Sequence, residues 1–315
     1  MHDLARIYRS LQRIRRVEEE IARVYPSDVI KSPVHLSIGQ EAVSVGLCEA
    51  LRPTDAVFGS YRSHALYLAK GGDLRAMIAE LYGKETGCAK GKGGSMHLVD
   101  VAAGVFGTSA VVGTTIPHAV GYAYAVKLRR EPRVVASVFG DGATDEGVFY
   151  ESLNFAALKR LPVLFVCENN GYAIHTHQRL RQHRPDICAR AAALGIEAER
   201  IEDGDVLHIA ERARAAADAL RAGSGPRFLE CLTYRWKEHV GPGEDYGLGY
   251  RERAEAEPWI RSDAVARLAE RVGPEVGVRI RAEVEAELAD AFRFAEASPF
   301  PGPEQLGADV YRSGP

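Results

Sequence analysis

The stretch VFGDGATDEG, residues 138–147, decides the fold of this chain. It leads from an apolar segment, RVVASVF (133–139), through two glycines that flank Asp141, and into a helical pattern. A Gly-Asp-Gly turn alone is a weak signal, because such turns close many ordinary hairpins. Its meaning therefore depends on the residues that follow it.

A second strand and a second polar turn follow after one helix. The run at 145–161 predicts a helix, and VLFVCEN (163–169) predicts another buried strand that ends at Asn169-Asn170. The GDG and the NN are separated by 26 residues, which is enough for the crossover that joins two parallel strands. Because such crossovers are right-handed, we expect Asp141 and Asn170 to lie side by side at the sheet edge where open α/β sheets bind ligands.

Strands alternate with helices through the middle of the chain, which is typical of an α/β fold with a mainly parallel sheet flanked by helices. No repeat or low-complexity tract divides the sequence. We therefore expect a single domain over 1–315, with a helical N-terminal arm at 1–34 and a helical extension and tail at 259–315. The further predicted elements are helices at 187–194 and 206–221 and strands at 196–201 and 227–236.

The charge balance and the apolar content exclude two classes of partner. A net charge of −3 and a pI near 6.4 give no reason to expect nucleic acid. Residues 101–126 contain no Asp, Glu, Lys or Arg, but they include four glycines and a proline. A membrane-spanning helix needs roughly 20 predominantly apolar residues, so we expect this segment to be buried against protein or cofactor and not in lipid.

The five cysteines indicate a reducing compartment. They form no C-x-x-C pair, so the sequence suggests neither a zinc site nor a disulfide framework. The N-terminal helical pattern continues into VEEEIA (17–22), whose glutamates a transit peptide avoids. We therefore expect a cytoplasmic protein with reduced thiols.

Asp141 and Asn170 have the chemistry of a magnesium site. Two hard oxygen donors at a strand-end edge suit Mg²⁺, whose coordination is usually completed by phosphates and water. The glycines let the backbone approach a phosphate, and the helix that follows offers free N–H groups. Two unrelated turns are the alternative, but the matched NN and the predicted βαβ unit favour the metal site.

Six motifs, in order, carry a family resemblance. The GDG, the 26 intervening residues and the NN are similar to the diphosphate-binding motif of thiamine-diphosphate enzymes. More narrowly, the chain resembles the alpha subunit of the two-subunit 2-oxoacid dehydrogenases, the decarboxylating component of pyruvate-type and acetoin-type complexes. The resemblance implies a thiamine-diphosphate-binding fold. The other matching motifs are HLSIGQEAVSVG (35–46), YRSHALYLAKGG (61–72), GCAKGKGGSMH (87–97), VVGTTIPHAVG (111–121) and GPRFLECLTYRW (225–236).

The resemblance implies a set of cofactor-binding residues. Mg²⁺ would be bound by side-chain oxygens of Asp141 and Asn170 and by the backbone carbonyl of Tyr172. Thiamine diphosphate would be bound at its diphosphate by Gly140, Gly142 and Ala143, contacted by Tyr61 and Arg62, and supported at its pyrimidine ring by the backbone of Val112. An arginine is suited to this place, because its planar fork matches phosphate oxygens.

Two histidines match catalytic positions of the family. His35 and His239 would face the thiazolium carbon and the substrate, where an imidazole stabilises an anion or moves a proton. Taken alone, a histidine of this kind is more often an ordinary core or surface residue than a catalyst, and His64 is a weaker candidate. His175 and His177 could reach the phosphate or the substrate, or they could be exposed loop residues.

Three departures from the family are visible, and one of them is the segment AIHTHQRLRQHR (173–184) around His175 and His177. The segment EHVGPGEDYGLGYR (238–251) stands where many relatives carry a serine-bearing loop, so phosphorylation at that serine is not expected and recognition of a lipoyl partner stays open. Ala110 stands in place of a glycine beside the pyrimidine site, which is a small change.

The resemblance also implies a partner. In the family, the glutamate on the pyrimidine side lies on a separate beta subunit, so we expect an alpha2-beta2 assembly and an inactive single chain. The favoured substrate is a small 2-oxoacid, pyruvate first, with acetoin cleavage as a close variant and a lipoyl acyltransferase as the acceptor. A carboligase that transfers an activated aldehyde to a carbonyl, a subunit without cofactor, and a split transketolase are the competing interpretations.

Overall fold

A six-stranded sheet forms the centre of the computed structural model, which describes residues 3–309. Its strands are Ala56–Ser60 (β1), Val105–Ser109 (β2), Val135–Gly140 (β3), Val163–Asn169 (β4), Glu197–Ile201 (β7) and Arg227–Leu232 (β8). All pairings in the order β2-β1-β3-β4-β8-β7 are parallel. A short antiparallel hairpin, Tyr172–Ala173 (β5) with Thr176–His177 (β6), follows β4. The predicted fold class is confirmed.

Helices cover both faces of the sheet. Along β3 and β4 the side chains alternate between two apolar cores, as the period of two along a strand requires. Val138 and Val166 face the core on one side of the sheet, whereas Phe139 and Phe165 face the core on the other side. The helices in chain order are Leu4–Val24 (α1), Glu41–Ala50 (α2), His64–Lys70 (α3), Leu74–Leu81 (α4), Thr115–Leu128 (α5), Gly147–Lys159 (α6), Gln178–Arg181 (α7), Ile187–Ala192 (α8), Val206–Arg221 (α9), Arg253–Arg261 (α10), Ala264–Val272 (α11) and Pro274–Ala297 (α12).

The β3–α6–β4 unit is the crossover that the spacing of GDG and NN predicts. Residues Asp141–Asp145 form a 3-10 turn directly after β3, and α6 begins at Gly147. Arg160, in the left-handed region at φ 48°, ends α6, and Gly140 pairs with Glu168 in the register of β3 and β4. Both polar turns therefore leave the sheet at the same edge.

The other predicted elements of the core lie within one or two residues of their observed bounds, with one exception. The strand predicted at 227–236 ends at Leu232. Beyond it the chain turns across the carboxyl edge, where Thr233 donates to the carbonyl of Asn169 at 2.9 Å and Trp236 donates to the carbonyl of Ile38 at 3.1 Å. This path carries the segment around His239 back over the sheet.

The N-terminal arm packs against the C-terminal helices. Asp3 accepts the backbone N–H of Arg6 at the start of α1, and Arg13 forms an ion pair with Glu287 of α12 at 2.8 Å. The division into an arm at 1–34, a core and an extension at 259–315 stays a prediction. Residues 1–2 and 310–315 of that prediction lie outside the described part of the chain.

The uncharged segment 101–126 is buried only in part. Ile116 and Ala119 pack under the sheet on α5, whereas Val111 and Val112 are exposed by 61% and 43%. Both valines lie on the loop before α5 at the open side of a cavity, so their burial against cofactor or protein stays a prediction. Over residues 3–309, no helix combines the length and apolarity that crossing a membrane requires.

Candidate active site

A cavity of about 310 Å³ lies at the carboxyl ends of β1, β3 and β4. Of the eleven residues that the sequence singled out as catalytic or cofactor-binding, ten line it, and the remaining one, His35, packs against two that do. This is the strand-end position at which open α/β sheets bind ligands. The fold thus brings together residues from six separate stretches of the chain.

Asp141 lies on the floor of this cavity with half of its carboxylate unpartnered. The side chain is 1% exposed, Oδ2 forms an ion pair with Arg181, and Oδ1 has no hydrogen-bond partner among the described residues. Burial raises the pKa of Asp141 to about 6, although the charge of Arg181 opposes this shift. A buried oxygen without a donor is a ready ligand for a cation.

Asn170 and Tyr172 lie at the end of β4 and also line the cavity. The amide of Asn170 donates to Gln40 Oε1 at 2.9 Å, and its oxygen accepts the backbone N–H of Tyr172 at 3.1 Å. The hydroxyl of Tyr172 donates to Glu255 at 2.6 Å, which fixes the ring against α10. Gly171 between them has φ +80°, so the turn favours glycine there.

The glycines of the GDG turn have two different roles. A Cβ on Gly140 would meet nothing nearer than a carbonyl 4.0 Å away, so the backbone there faces open cavity space. A Cβ on Gly142 would lie 2.9 Å from the Cβ of Ala173. Gly142 is therefore needed for the close approach of the β5–β6 hairpin, and only Gly140 leaves its side open for a ligand. Ala143 completes this wall of the cavity.

Two histidines and a tyrosine form a cluster at the cavity. The ring of His35 lies 4.5 Å from that of Tyr61 and 5.1 Å from that of His239, measured between centroids. Burial, and then the charge of Arg62, lowers the pKa of both histidines to about 3. Both are therefore neutral at pH 7, a state that accepts or relays a proton.

Arg62 connects the two histidine segments. It donates to the carbonyl of Leu36 at 2.7 Å and to the carbonyl of His239 at 3.0 Å. Burial lowers its pKa to about 10, so the guanidinium stays charged at pH 7. A buried arginine beside a cavity is suited to an anionic group such as a phosphate.

The loop that departs from the family pattern is held by a buried carboxylate. Asp245 accepts from Arg235 Nη1 at 2.8 Å and from Arg251 Nε at 2.6 Å. All three side chains are at most 2% exposed. The loop after His239 therefore has an ordered, charged interior of its own.

The weaker histidine candidates lie in three different environments. His64 is fully buried, away from the cavity lining. His175 is exposed, with its ring 4.6 Å from that of Tyr250 and 6.5 Å from that of His239. His177 accepts the backbone N–H of Arg179 at 3.1 Å, as expected for a residue that caps a helix.

Three cavity residues were missed by the sequence interpretation. Gln40 holds the Asn170 amide, Glu168 precedes the NN, and Arg181 is ion-paired with Asp141. Burial raises the pKa of Glu168 to about 7, against the charge of Arg62. Gln40 and Glu168 lie inside the family motifs, close in sequence to His35 and Asn170. Their positions in the sequence therefore marked them as possible site residues. No neighbouring residue in the sequence marks Arg181 as a site residue.

Comparison with known proteins identifies the family. A profile described as the dehydrogenase E1 component matches residues 9–304. The chain belongs to the dehydrogenase E1 component family. It is 37% identical over 320 residues to the human pyruvate dehydrogenase E1 component subunit alpha, somatic form, covering 99% of this chain and 80% of that one. It is 35% identical to the alpha subunit of acetoin:2,6-dichlorophenolindophenol oxidoreductase of Bacillus subtilis, covering 98% and 93%.

Among solved structures, a thiamin diphosphate-dependent enzyme from Mycobacterium smegmatis aligns with a TM-score of 0.45 and 22% identity, over 64% of this chain and 33% of that one. The suspected family of E1 alpha subunits is confirmed by the profile and the curated relatives. E1 components are thiamine-diphosphate-dependent enzymes. The charged Arg62 and the open backbone at Gly140 fit the diphosphate of that cofactor.

Proposed function

We propose that this E1 chain is the alpha subunit of a two-subunit enzyme that decarboxylates a small 2-oxoacid, pyruvate first, and passes the acyl group to a lipoyl acyltransferase. The observation that carries the proposal is the meeting of Asp141 and Asn170, from adjacent strand ends, in one cavity beside the His35–His239 pair. Pyruvate and acetoin in the names of the relatives support a small substrate.

Mg²⁺ is part of the proposal. The free Oδ1 of Asp141 is buried at the cavity and would be one ligand. The Asn170 oxygen and the Tyr172 carbonyl would be the others, since Mg²⁺ prefers oxygen ligands. The side-chain oxygen of Asn170 accepts the Tyr172 N–H at 3.1 Å, and its second lone pair remains for the ion.

Thiamine diphosphate would supply the electron sink for decarboxylation. Arg62 and the Gly140 backbone would hold its diphosphate, and Tyr61, Gly142, Ala143 and Val112 would complete the contacts. His35 and His239, neutral at pH 7, would accept or return protons at the substrate. The mutual packing of their rings keeps both imidazoles at the same end of the cavity.

A beta subunit would complete the site in an alpha2-beta2 assembly. Val112 lines the cavity and is nevertheless 43% exposed, so the cavity is open on that side. An apolar face continues from it along α5 and α6. We call it the α5–α6 face, and its exposed members are Val111, Val112, Tyr124, Leu128, Phe155 and Leu158. A partner that covers this face could bring the pyrimidine-side glutamate to the opening.

A cytoplasmic location is also part of the proposal. All five cysteines are free and at least half-buried, as expected of a protein from a reducing compartment. The human relative is named as mitochondrial, so fractionation of the source cells is the measurement that decides.

The test is reconstitution with the beta subunit. The complex should reduce an electron-accepting dye with pyruvate, and the rate should require both Mg²⁺ and thiamine diphosphate. The alpha chain alone should be inactive. A carbon–carbon bonded product formed without any oxidant would instead indicate the carboligase, and failure to bind the cofactor would indicate a subunit without cofactor.

A further inference from the structure

A line of hydrogen bonds between buried side chains lies behind the cavity. Glu18 Oε2 is 3.1 Å from His64 Nδ1, and His64 Nε2 is 2.8 Å from Ser95 Oγ. All three side chains are at most 1% exposed. None of them lines the cavity, so substrate does not reach the serine hydroxyl and the trio does not act as a nucleophilic triad.

The second oxygen of Glu18 holds the backbone beside His35. Glu18 Oε1 accepts the N–H of Ser37 at 2.8 Å. The carbonyl of Leu36, which lies between His35 and Ser37, accepts from Arg62 at 2.7 Å. The segment 35–37 is therefore held from one side by α1 and from the other by the cavity arginine.

His64 holds the second segment of the site. It begins α3, two residues after Arg62. Ser95, the partner of His64, also donates its backbone N–H to Ser32 Oγ at 2.9 Å. This bond ties the glycine-rich loop at 87–97 to the chain just before His35. One carboxylate on α1 thus joins two segments that are 27 residues apart in sequence, from Ser37 to His64.

We propose that Glu18 and His64 are positioning residues of this active site, which set the places of His35 and Arg62 without touching cofactor or substrate. The proposal rests on the proposed function for its kinetic part only. Hydrogen bonds to a buried carboxylate are stronger than neutral ones, and a buried donor that loses its partner is costly. The two segments therefore keep their relative position only while Glu18 holds both.

The hydrogen-bonding pattern predicts which substitution is tolerated. As a carboxylate, Glu18 accepts from His64 Nδ1–H, and Nε2 then accepts from the Ser95 hydroxyl. In Glu18→Gln the amide oxygen can keep the Ser37 N–H, while the amide nitrogen donates to Nδ1 of the other histidine tautomer. Nε2–H then donates to Ser95, so every link survives, and only the two hydrogen bonds of His64 reverse their direction. Glu18→Leu removes both hydrogen bonds of residue 18, the one to the Ser37 N–H and the one to His64.

The experiment uses the alpha subunit assembled with its beta subunit. Glu18→Leu should raise the calorimetric Kd of thiamine diphosphate with Mg²⁺ and lower kcat, each about tenfold, which corresponds to about 1.4 kcal/mol and is close to the lower value for a hydrogen bond to a charged group. It should also speed hydrogen exchange in the peptide that contains Ser37. Glu18→Gln should stay within about threefold of the wild type in both constants.

Asp55→Asn is the matched control. Asp55 is also 0% exposed, and it accepts the backbone N–H of Arg52 and of Val134. However, it precedes β1 at the opposite edge of the sheet from the cavity. This variant should lose stability without a change in the cofactor Kd or in exchange at Ser37. Equal effects of Glu18→Leu and Asp55→Asn on these two readouts would overturn the proposal.

A cycle with His35→Gln separates positioning from general weakening. If Glu18 acts through His35, the effects of Glu18→Leu and His35→Gln on kcat will be less than additive, whereas additive effects contradict the proposal. If Glu18→Leu does not fold, His64→Gln and His64→Asn replace it. The asparagine keeps the reach to Glu18 and should be the milder change, and equal effects of the two on the cofactor Kd contradict the proposal.

The two proposals fail in different ways. A wild-type complex without 2-oxoacid turnover contradicts the proposed function. In that case the cofactor Kd and the hydrogen exchange at Ser37 still test whether Glu18 and His64 are positioning residues.

Discussion

The guanidinium of Arg181 is ion-paired with the carboxylate of Asp141, at the place where the sequence predicts a metal ligand. Arg181 also bridges to Asp145, and its side chain is only 12% exposed. The arginine balances the charge of Asp141, and a divalent ion at the proposed site would compete with it for the same carboxylate.

This competition predicts the effect of Arg181→Gln. Without the guanidinium, Asp141 is left as a buried carboxylate without its partner, so the free energy of unfolding in EDTA should fall by about 3 kcal/mol. Added Mg²⁺ should then raise Tm by more in the variant than in the wild type, measured at pH 8, above the pKa of about 6 that Asp141 has beside Arg181. Arg179→Gln, at an exposed position of the same short helix, is the control and should change neither value. Equal Mg²⁺-induced shifts in variant and wild type would exclude the competition.

Asp141→Asn tests the metal site directly. The neutral amide cannot balance the charge of a divalent ion, so the calorimetric Kd for thiamine diphosphate with Mg²⁺ should rise at least about 100-fold, or roughly 2.7 kcal/mol. Asp55→Asn, an equally buried carboxylate at the opposite edge of the sheet, should leave this Kd unchanged. Cofactor binding by Asp141→Asn with wild-type Kd would contradict the site.

The depressed pKa of His35 predicts a pH-dependent contribution to stability. Its pKa is about 3 in the folded chain, against an ordinary 6.5 in the unfolded chain. Below pH 6.5 the unfolded state binds a proton that the folded state does not, so stability is lost as the pH falls. The difference in unfolding free energy between wild type and His35→Gln should therefore decrease by about 1–2 kcal/mol from pH 7.5 to pH 5.

Urea unfolding at the two pH values measures this difference. Asp141 and Glu168, whose raised pKa values act in the opposite direction, are present in both proteins and cancel in the comparison. A difference that does not change with pH would show that His35 titrates normally.

The α5–α6 face predicts the site of subunit assembly. Leu158 of this face, near the C-terminal end of α6, is 72% exposed, so Leu158→Asp should change the stability of the isolated chain by at most about 0.5 kcal/mol. The same change should abolish the alpha2-beta2 species in sedimentation, because it would bury a charge in the interface. Val278→Asp, at an exposed valine of α12, is the matched control and should assemble normally. Assembly of both variants would place the interface elsewhere.

The sequence predicted the part of the site that depends on local pattern. The apolar runs of β3 and β4, the helix between them and the two polar turns are each read from neighbouring residues. A parallel pair with a right-handed crossover then leaves one arrangement for Asp141 and Asn170. The family motifs added His35 and His239, which the fold brings to a ring distance of 5.1 Å.

The partners of these residues were not predictable in the same way. Gly142 lines the cavity, as the resemblance implies, but the sequence did not show that a Cβ at this position would also collide with Ala173. His64 looked like a weak catalytic candidate, and it is buried against Glu18. In each case the deciding neighbour comes from another element.

What the sequence determined by itself is the unit of β3, α6 and β4 and the edge of the sheet at which polar groups gather, because periodicity and turn chemistry act over a few residues. Only the tertiary structure decided that Arg181 neutralises Asp141, that Glu18 reaches behind His35, and that Val112 stays exposed. Contacts of this kind join residues far apart in the chain. They depend on the distance and orientation at which helices and strands pack against each other, and a local sequence pattern contains no information about either.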